Sequence, residues 1–207
     1  MSLHLVILYL RSRLAGWGAL GLIAIVGAFS GFGIMQSATG TADTFMLAKV
    51  VVPLMLTVVI VTTTRSPFGE AERTASRSLS LLRGSQLAAI ALLAVGGLAL
   101  AAGTWHSQGE DTRLLLIRNL FGLLGIGLLT ALVLGASMAW LVPMLAGFLA
   151  IFSAPNELAS ASFDVLWTWP SRAINDRAAL AIVVAVMLVG VLAHARYGAR
   201  DTLDESH

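Results

Sequence analysis

The feature that most constrains this chain is the length of its apolar runs. The longest extends from residue 114 to residue 152 and contains a single charged side chain, Arg118. A helix needs about 20 apolar residues to cross the hydrocarbon core of a bilayer, so this run has room for two crossings. The small residues Gly135, Ala136 and Ser137 near its middle predict a tight turn between them. The run therefore predicts a chain that folds inside a membrane.

The composition excludes several other classes of protein. Apolar residues make up 57% of the 207 positions and charged residues 12%, whereas soluble domains carry about 25% charged residues. Such hydrophobicity also excludes disorder. The absence of cysteine excludes disulfide scaffolds, thiolate metal sites and cysteine nucleophiles. The net charge is only +2, and no polybasic block is present that would bind nucleic acid.

The apolar segments predict an all-α integral membrane fold with six transmembrane helices. The predicted spans are 14–35, 45–64, 86–105, 114–134, 138–152 and 178–195. Ahead of the first span, apolar residues recur at helical spacing, which predicts an N-terminal interfacial helix. These residues are Leu3, Val6, Ile7, Leu10 and Leu14. A plain extension of the first span is the alternative.

The distribution of arginine predicts that both termini lie in the cytoplasm, because positive residues collect on that side of a membrane. The predicted cytoplasmic segments contain Arg11, Arg13, Arg65, Arg73, Arg77, Arg83, Arg196 and Arg200, and the outer segments contain the smaller set Arg113, Arg118, Arg172 and Arg177. Trp105, Trp167 and Trp169 would then form an outer aromatic belt. Lys49 and Arg118 lie near the outer ends of their spans and are expected to snorkel to the interface. A substrate or salt-bridge role is the alternative.

The connection between the second and third spans has a helical pattern of its own, over residues 66–83. Ser66 is a good N-cap, Pro67 suits the first helical position and Gly84 is placed to end the helix. A narrow apolar stripe follows a spacing of three and four residues. The stripe consists of Phe68, Ala71, Ala75, Leu79 and Leu82. One interpretation is an interfacial helix that its arginines hold to anionic lipid.

A sharper interpretation comes from the motif PFGEAERTASRSLSLLR in this segment. It resembles the segment after the second span in ABC-2-type (type V) transporter permeases, in which a Gly-Glu-x-x-Arg-like stretch forms a coupling helix. Gly69, Glu70 and Arg73 match that pattern. The resemblance implies that this helix docks in a groove of a separate ATP-binding subunit, and that two permeases, identical or different, form a dimer. The implied docking residues are Pro67, Phe68, Gly69, Glu70, Arg73, Thr74 and Arg77.

The same resemblance implies roles for two other parts of the chain. Short re-entrant helices would lie in the outer segment 153–177, with Val165, Leu166, Trp167 and Trp169 capping the exit path. A tryptophan-anchored interfacial loop without a gating role is the alternative. The possible substrate path on the second span consists of Phe45, Lys49, Met55, Thr57 and Thr62.

Glycines at positions 27, 31, 122, 125 and 127 are expected to serve helix packing.

The predicted function is a permease subunit rather than an enzyme. No phosphate-binding GxxxxGK[ST] motif occurs in the chain, so ATP and Mg²⁺ are expected on the partner subunit, with no cofactor or metal bound here. The resemblance implies export of an amphipathic or hydrophobic compound (a drug, antibiotic, lipid or peptide) across a bacterial cell membrane. A non-transporting membrane scaffold or assembly subunit is the alternative. A membrane protease is disfavoured because Ser137 lacks the glycine that should follow such a nucleophile.

Overall fold

A computed structural model of the chain describes residues 15–39, 43–63, 78–105, 111–152 and 168–197. These residues form six α-helices and no β-strand: α1 (Ala15–Thr39), α2 (Asp43–Thr63), α3 (Ser78–Ala102), α4 (Asp111–Val133), α5 (Leu141–Phe152) and α6 (Arg177–Tyr197). The predicted N-terminal interfacial helix, most of the predicted coupling helix and most of the outer segment 153–177 lie outside the described residues.

Four of the six helices are long and apolar enough to cross a membrane, namely α1, α3, α4 and α6. The apolar part of α2, Ala48–Thr63, and the whole of α5 are shorter. At about 1.5 Å per residue α5 rises about 18 Å, less than the ~30 Å of a hydrocarbon core. The chain is therefore a helical membrane protein, and the count of six complete spans stays a prediction.

The turn between α4 and α5 lies where the small residues predict it. Helix α4 ends at Val133, α5 begins at Leu141, and Gly135 between them has a φ of 87°. Glycine reaches this left-handed conformation without the steric cost that a Cβ atom would add. The predicted division of the long apolar run is confirmed, although α5 begins three residues later than the predicted span 138–152.

The predicted helix stop at Gly84 is wrong. Helix α3 runs without interruption from Ser78 to Ala102, so that residues 78–83 belong to α3 and not to a separate helix. A glycine ends a helix when it adopts a left-handed conformation. Among the described glycines only Gly135 has a positive φ, and Gly84 simply continues the helix.

Helix α4 forms the centre of the bundle. Two-thirds (67%) of its membrane-span residues are buried, against 22% for α1 and for α6. Helix α1 runs antiparallel to α2, because Gly18 faces Thr63 and Gly21 faces Val59. It runs parallel to α3, because Val26 faces Gly97 and Gly33 faces Trp105, just after the end of α3. Helix α5 packs against α2 and α4, with Gly147 facing Leu54.

Helices α4 and α6 approach each other backbone to backbone. A Cβ atom on Gly125 would lie 2.8 Å from the Cα atom of Met187, and one on Gly190 would lie 2.7 Å from the carbonyl oxygen of Gly125. Small residues permit such close approach, which replaces the hydrophobic driving force that helices lack in lipid. The expected packing role of Gly125 is therefore found at this crossing, which fixes α6 to the central helix.

Trp105 does not belong to an outer aromatic belt, contrary to the prediction. Its side chain is 3% exposed and stacks on Phe29 with ring centroids 5.0 Å apart. The indole also lies against Gly33 of α1, where a Cβ atom would come within 2.5 Å of the ring nitrogen. The absence of a side chain at Gly33 thus leaves room for Trp105 between α1 and the end of α3.

Candidate functional site

The candidate site is centred on the irregular segment 168–176, which leads into α6. The backbone turns twice within it, through hydrogen bonds from Ser171 N to the carbonyl of Thr168 (2.9 Å) and from Asp176 N to the carbonyl of Ala173 (3.2 Å). Irregular backbone at membrane depth is tolerated only where protein or water satisfies its polar groups. The carbonyls of residues 169–173 therefore need donors from the neighbouring helices.

Arg118 of α4 supplies most of these donors. Its side chain donates from Nη1 to the carbonyl of Ala173 (2.7 Å), and from Nη2 to the carbonyls of Trp169 (2.9 Å) and Arg172 (2.8 Å). The residue is 4% exposed. A guanidinium carries five N–H groups in a fixed planar fork, so one arginine can serve several carbonyls at once.

Asn119 links the same segment to α2. Its amide nitrogen Nδ2 donates to the carbonyl of Pro170 (2.8 Å) and to the carbonyl of Lys49 (2.9 Å). The Lys49 carbonyl has no helical donor, because Pro53 lies four residues later in α2 and has no N–H. Asn119 is fully buried. It therefore donates both to the Lys49 carbonyl, which has no helical donor because of Pro53, and to the Pro170 carbonyl of the irregular segment.

Lys49 completes the arrangement from α2. Its ammonium nitrogen Nζ lies 3.2 Å from the carbonyl oxygen of Ser171, and the residue is 6% exposed. Lys49, Arg118 and Asn119 thus donate to all five consecutive carbonyls of residues 169–173. We call this arrangement the carbonyl clamp. Neither cation snorkels to the interface as expected, because the segment before α6 folds over both side chains.

In the described part of the chain, the two cations of the carbonyl clamp donate hydrogen bonds to backbone carbonyls and to the side-chain oxygen of Asn119, and not to a carboxylate. In the part of the chain that the structure describes, the one ion pair joins Arg172 to Asp176, with Nη1 and Oδ2 3.0 Å apart. Burial of a charged group is costly unless the group is hydrogen-bonded, and hydrogen bonds from a charged donor are stronger than neutral ones. The carbonyl clamp therefore has the chemistry of a structural lock, which fixes the segment 168–176 to α2 and α4.

Trp169 packs the same segment against α4, one turn after Arg118. Its indole covers Gly122, where a Cβ atom would overlap the ring. The side chain is 2% exposed and belongs to a core cluster with Leu123 and Val183. Trp169 was expected in an outer aromatic belt, and its burial contradicts that expectation. Whether it caps an exit path stays a prediction.

Asp176 joins the segment to α6 as the N-cap of the helix. Its Oδ1 accepts hydrogen bonds from the backbone N–H groups of Ala178 (2.9 Å) and Ala179 (3.1 Å). These bonds, together with the one from Arg172, hold the pKa of the Asp176 carboxyl below its ordinary value of 3.8. The sequence contains the signal for this cap, an aspartate directly before an apolar helical run.

We expect Asp176→Ala to lower the free energy of unfolding by about 1 kcal/mol at pH 7, the usual effect of losing an N-cap. Asp176→Asn, which keeps an acceptor for the helix, should lose less. Because the folded pKa is depressed, the carboxylate stabilises the folded chain above pH 3.8, and this contribution is lost as the pH falls through the folded value. Thermal unfolding in detergent at pH 7 and pH 3 measures both effects, with the exposed Asn175→Ala as control. Equal stability of Asp176→Ala and the native chain at pH 7 would contradict the cap.

The predicted substrate-path residues do not share one face of α2. Thr57 is fully buried, whereas Met55 is 41% exposed and Thr62 is also exposed. Lys49 belongs to the carbonyl clamp, and the side chain of Phe45 lies outside the described residues. The predicted path therefore stays a prediction, and the structure does not bring its members together.

The other predicted site residues fall largely outside the described residues. This holds for the docking residues Pro67, Phe68, Gly69, Glu70, Arg73, Thr74 and Arg77, and for the cap residues Val165, Leu166 and Trp167. Sequence reasoning missed the partners of Arg118 and Asn119. Backbone carbonyls leave no trace in a sequence, so only Pro53, whose missing N–H frees one carbonyl, gave a signal.

Comparison with known proteins gives no match: no protein-family model fits the chain, and no curated protein or solved structure is significantly similar to it. The class that the fold and the site define is that of a helical membrane protein. Its central helix carries a buried Arg118–Asn119 pair, which holds an irregular segment at one end of the bundle.

Proposed function

We propose that this chain is the permease subunit of an ATP-driven ABC-2-type transporter, located in a bacterial cell membrane with both termini in the cytoplasm. It exports an amphipathic or hydrophobic compound and works as a dimer with a second permease, identical or different. Two ATP-binding subunits dock on its cytoplasmic face. The basis of the proposal is the resemblance of the segment around Gly69, Glu70 and Arg73 to a coupling helix.

The observation that best supports this proposal is the arrangement of the helix ends on either side of that segment. Helix α1 begins near the end of α2, since Gly18 faces Thr63. It ends near the end of α3, since Gly33 faces Trp105. Helix α3 therefore begins on the side of the bundle where α2 ends. The segment 64–77 therefore connects two helix ends that lie on the same side of the bundle. A segment that docks a peripheral subunit has to lie on one such side.

The carbonyl clamp agrees with a transport role at the opposite end of the bundle. It fixes the segment 168–176 to α2 and to the central helix α4. In the proposed mechanism, ATP-driven closure of the partner subunits pushes the segment between α2 and α3. The movement of α2 and α4 then carries the segment 168–176 with it, and the exit opens on that side.

We expect the double variant Glu70→Ala/Arg73→Ala to lose an ATP-binding subunit that copurifies with the native chain from gently solubilised membranes. The measurement is a tagged pull-down with mass spectrometry of all retained proteins. The matched control is Glu72→Ala/Arg65→Ala, which removes one acid and one arginine from the same segment but leaves the Gly-Glu-x-x-Arg pattern intact.

The outcomes separate the proposed function from its alternative. Loss of the ATPase in the Glu70/Arg73 variant but not in the control supports the permease and its docking residues, and a second permease in the eluate decides between homodimer and heterodimer. Recovery of no ATPase with the native chain in several mild detergents would overturn the proposal in favour of a membrane scaffold.

A further inference from the structure

An apolar cavity of about 360 Å³ lies between α3, α4 and α6, and no residue of the carbonyl clamp lines it. Small residues of α3, namely Gly84, Ala88 and Ala91, form one wall. Met187, Val191 and His194 of α6 form the opposite wall. The volume is within the range of roughly 300–1,000 Å³ that is typical of small-molecule sites.

The length of the cavity along α3 suits a single hydrocarbon chain. It follows α3 from Gly84 to Val95, a rise of about 16 Å at 1.5 Å per residue, which is about half of a ~30 Å hydrocarbon core. It therefore extends through one leaflet, parallel to the helices. Leu92, which lines the cavity, is 70% exposed, so the cavity opens sideways to the surface that lipid covers.

The charge at one end of the cavity indicates which kind of lipid enters. His194 lines that end, and the exposed Arg196 follows in the same last turn of α6. Arg83 directly precedes Gly84 in α3, and the first turn of α3 has no acidic residue. Basic residues at the membrane surface attract anionic headgroups. The remaining cavity-lining residues are apolar and complement an acyl chain.

We propose that this cavity is a binding site for an anionic phospholipid, one acyl chain of which lies between α3 and α6 while its headgroup meets the basic ends of these helices. The site is independent of the proposed transport function, because none of its residues belongs to the carbonyl clamp or to the segment 64–77. The small side chains at positions 84, 88 and 91 leave the space that the chain fills.

The test is native mass spectrometry of the delipidated protein, titrated with phosphatidylglycerol or with phosphatidylcholine of identical acyl chains. We expect one high-affinity adduct with phosphatidylglycerol, about fivefold tighter than with phosphatidylcholine, and we expect Arg196→Gln to remove this preference. Ala88→Phe and Ala91→Phe, which fill the cavity at two levels, should each lose the adduct. Ala89→Phe is the matched control, because Ala89 is exposed on the same helix but does not line the cavity.

Two results would overturn the proposal. If both cavity-filling variants retain the adduct as the control does, the lipid binds elsewhere on the bundle surface. If the native chain binds both lipids equally, the basic helix ends do not select an anionic headgroup. Thermal unfolding of each variant verifies that the bundle is intact. If one of the two cavity-filling variants does not fold, the other still tests the proposal.

Discussion

Replacement of Arg118 by methionine is expected to release the segment 168–176 and to lower the free energy of unfolding by about 2–3 kcal/mol. Three carbonyls, those of Trp169, Arg172 and Ala173, lose their side-chain donor. A buried polar group without a partner costs about 1–3 kcal/mol. Part of this cost is offset because methionine does not carry the desolvation penalty of a buried cation.

The Arg118→Met substitution should release the segment 168–176 as well as lower the stability of the whole bundle. Because the chain contains no cysteine, one introduced cysteine can report on this segment alone. A single cysteine at Ile174→Cys reports on the segment through its rate of reaction with a maleimide. We expect Arg118→Met to increase this rate and to lower the midpoint of thermal unfolding. Arg113→Met, an exposed arginine of the same helix, is the control. An unchanged labelling rate would show that the carbonyl clamp does not hold the segment.

Replacement of Gly125 by alanine is expected to separate α4 from α6. The new methyl group would lie 2.8 Å from the Cα and N atoms of Met187, which are backbone atoms and cannot rotate away. Overpacking usually costs about 1–3 kcal/mol. We expect a value at the upper end, about 3 kcal/mol, because a whole helix has to shift and Gly190 of α6 meets Gly125 at the same crossing.

The control for this substitution is Gly96→Ala on α3, because no atom lies within 4 Å of the position that its Cβ would occupy. Alanine is a better helix former than glycine, so this variant should be as stable as the native chain or slightly more stable. Unfolding midpoints in detergent compare the two variants. Equal stability of the Gly125 and Gly96 variants would mean that α4 and α6 do not cross as closely as the structure indicates.

The carbonyl clamp explains how two cations are buried at one end of an apolar bundle. Ionisable side chains inside a membrane, basic as well as acidic, commonly belong to substrate, proton or ion pathways. Here Lys49 and Arg118 are held by backbone carbonyls of residues 169 and 171–173. Their charges therefore serve to fix an irregular segment, and the same donors satisfy the backbone carbonyls of that segment.

Much of the fold could be predicted because apolar runs have a direct physical meaning. The runs over 114–134 and 178–195 correspond to α4 and α6, and Gly135 forms the predicted turn. The errors share one cause, which is that exposure depends on neighbours from distant parts of the chain. Trp105 and Trp169 were expected at the lipid surface, but Gly33 and Gly122 leave space for their rings inside the bundle.

The sequence by itself determined that the chain is a helical membrane protein, because long apolar runs with few charges leave helices in a bilayer as the stable outcome. It also contained the Gly-Glu-x-x-Arg segment on which the proposed function rests. Only the tertiary structure decided what Lys49, Arg118 and Asn119 do. The acceptors of Arg118, for example, are backbone carbonyls more than 50 residues away, at Trp169, Arg172 and Ala173. Every residue has such a carbonyl, so no pattern of side chains reveals which ones a folded chain brings to a buried cation.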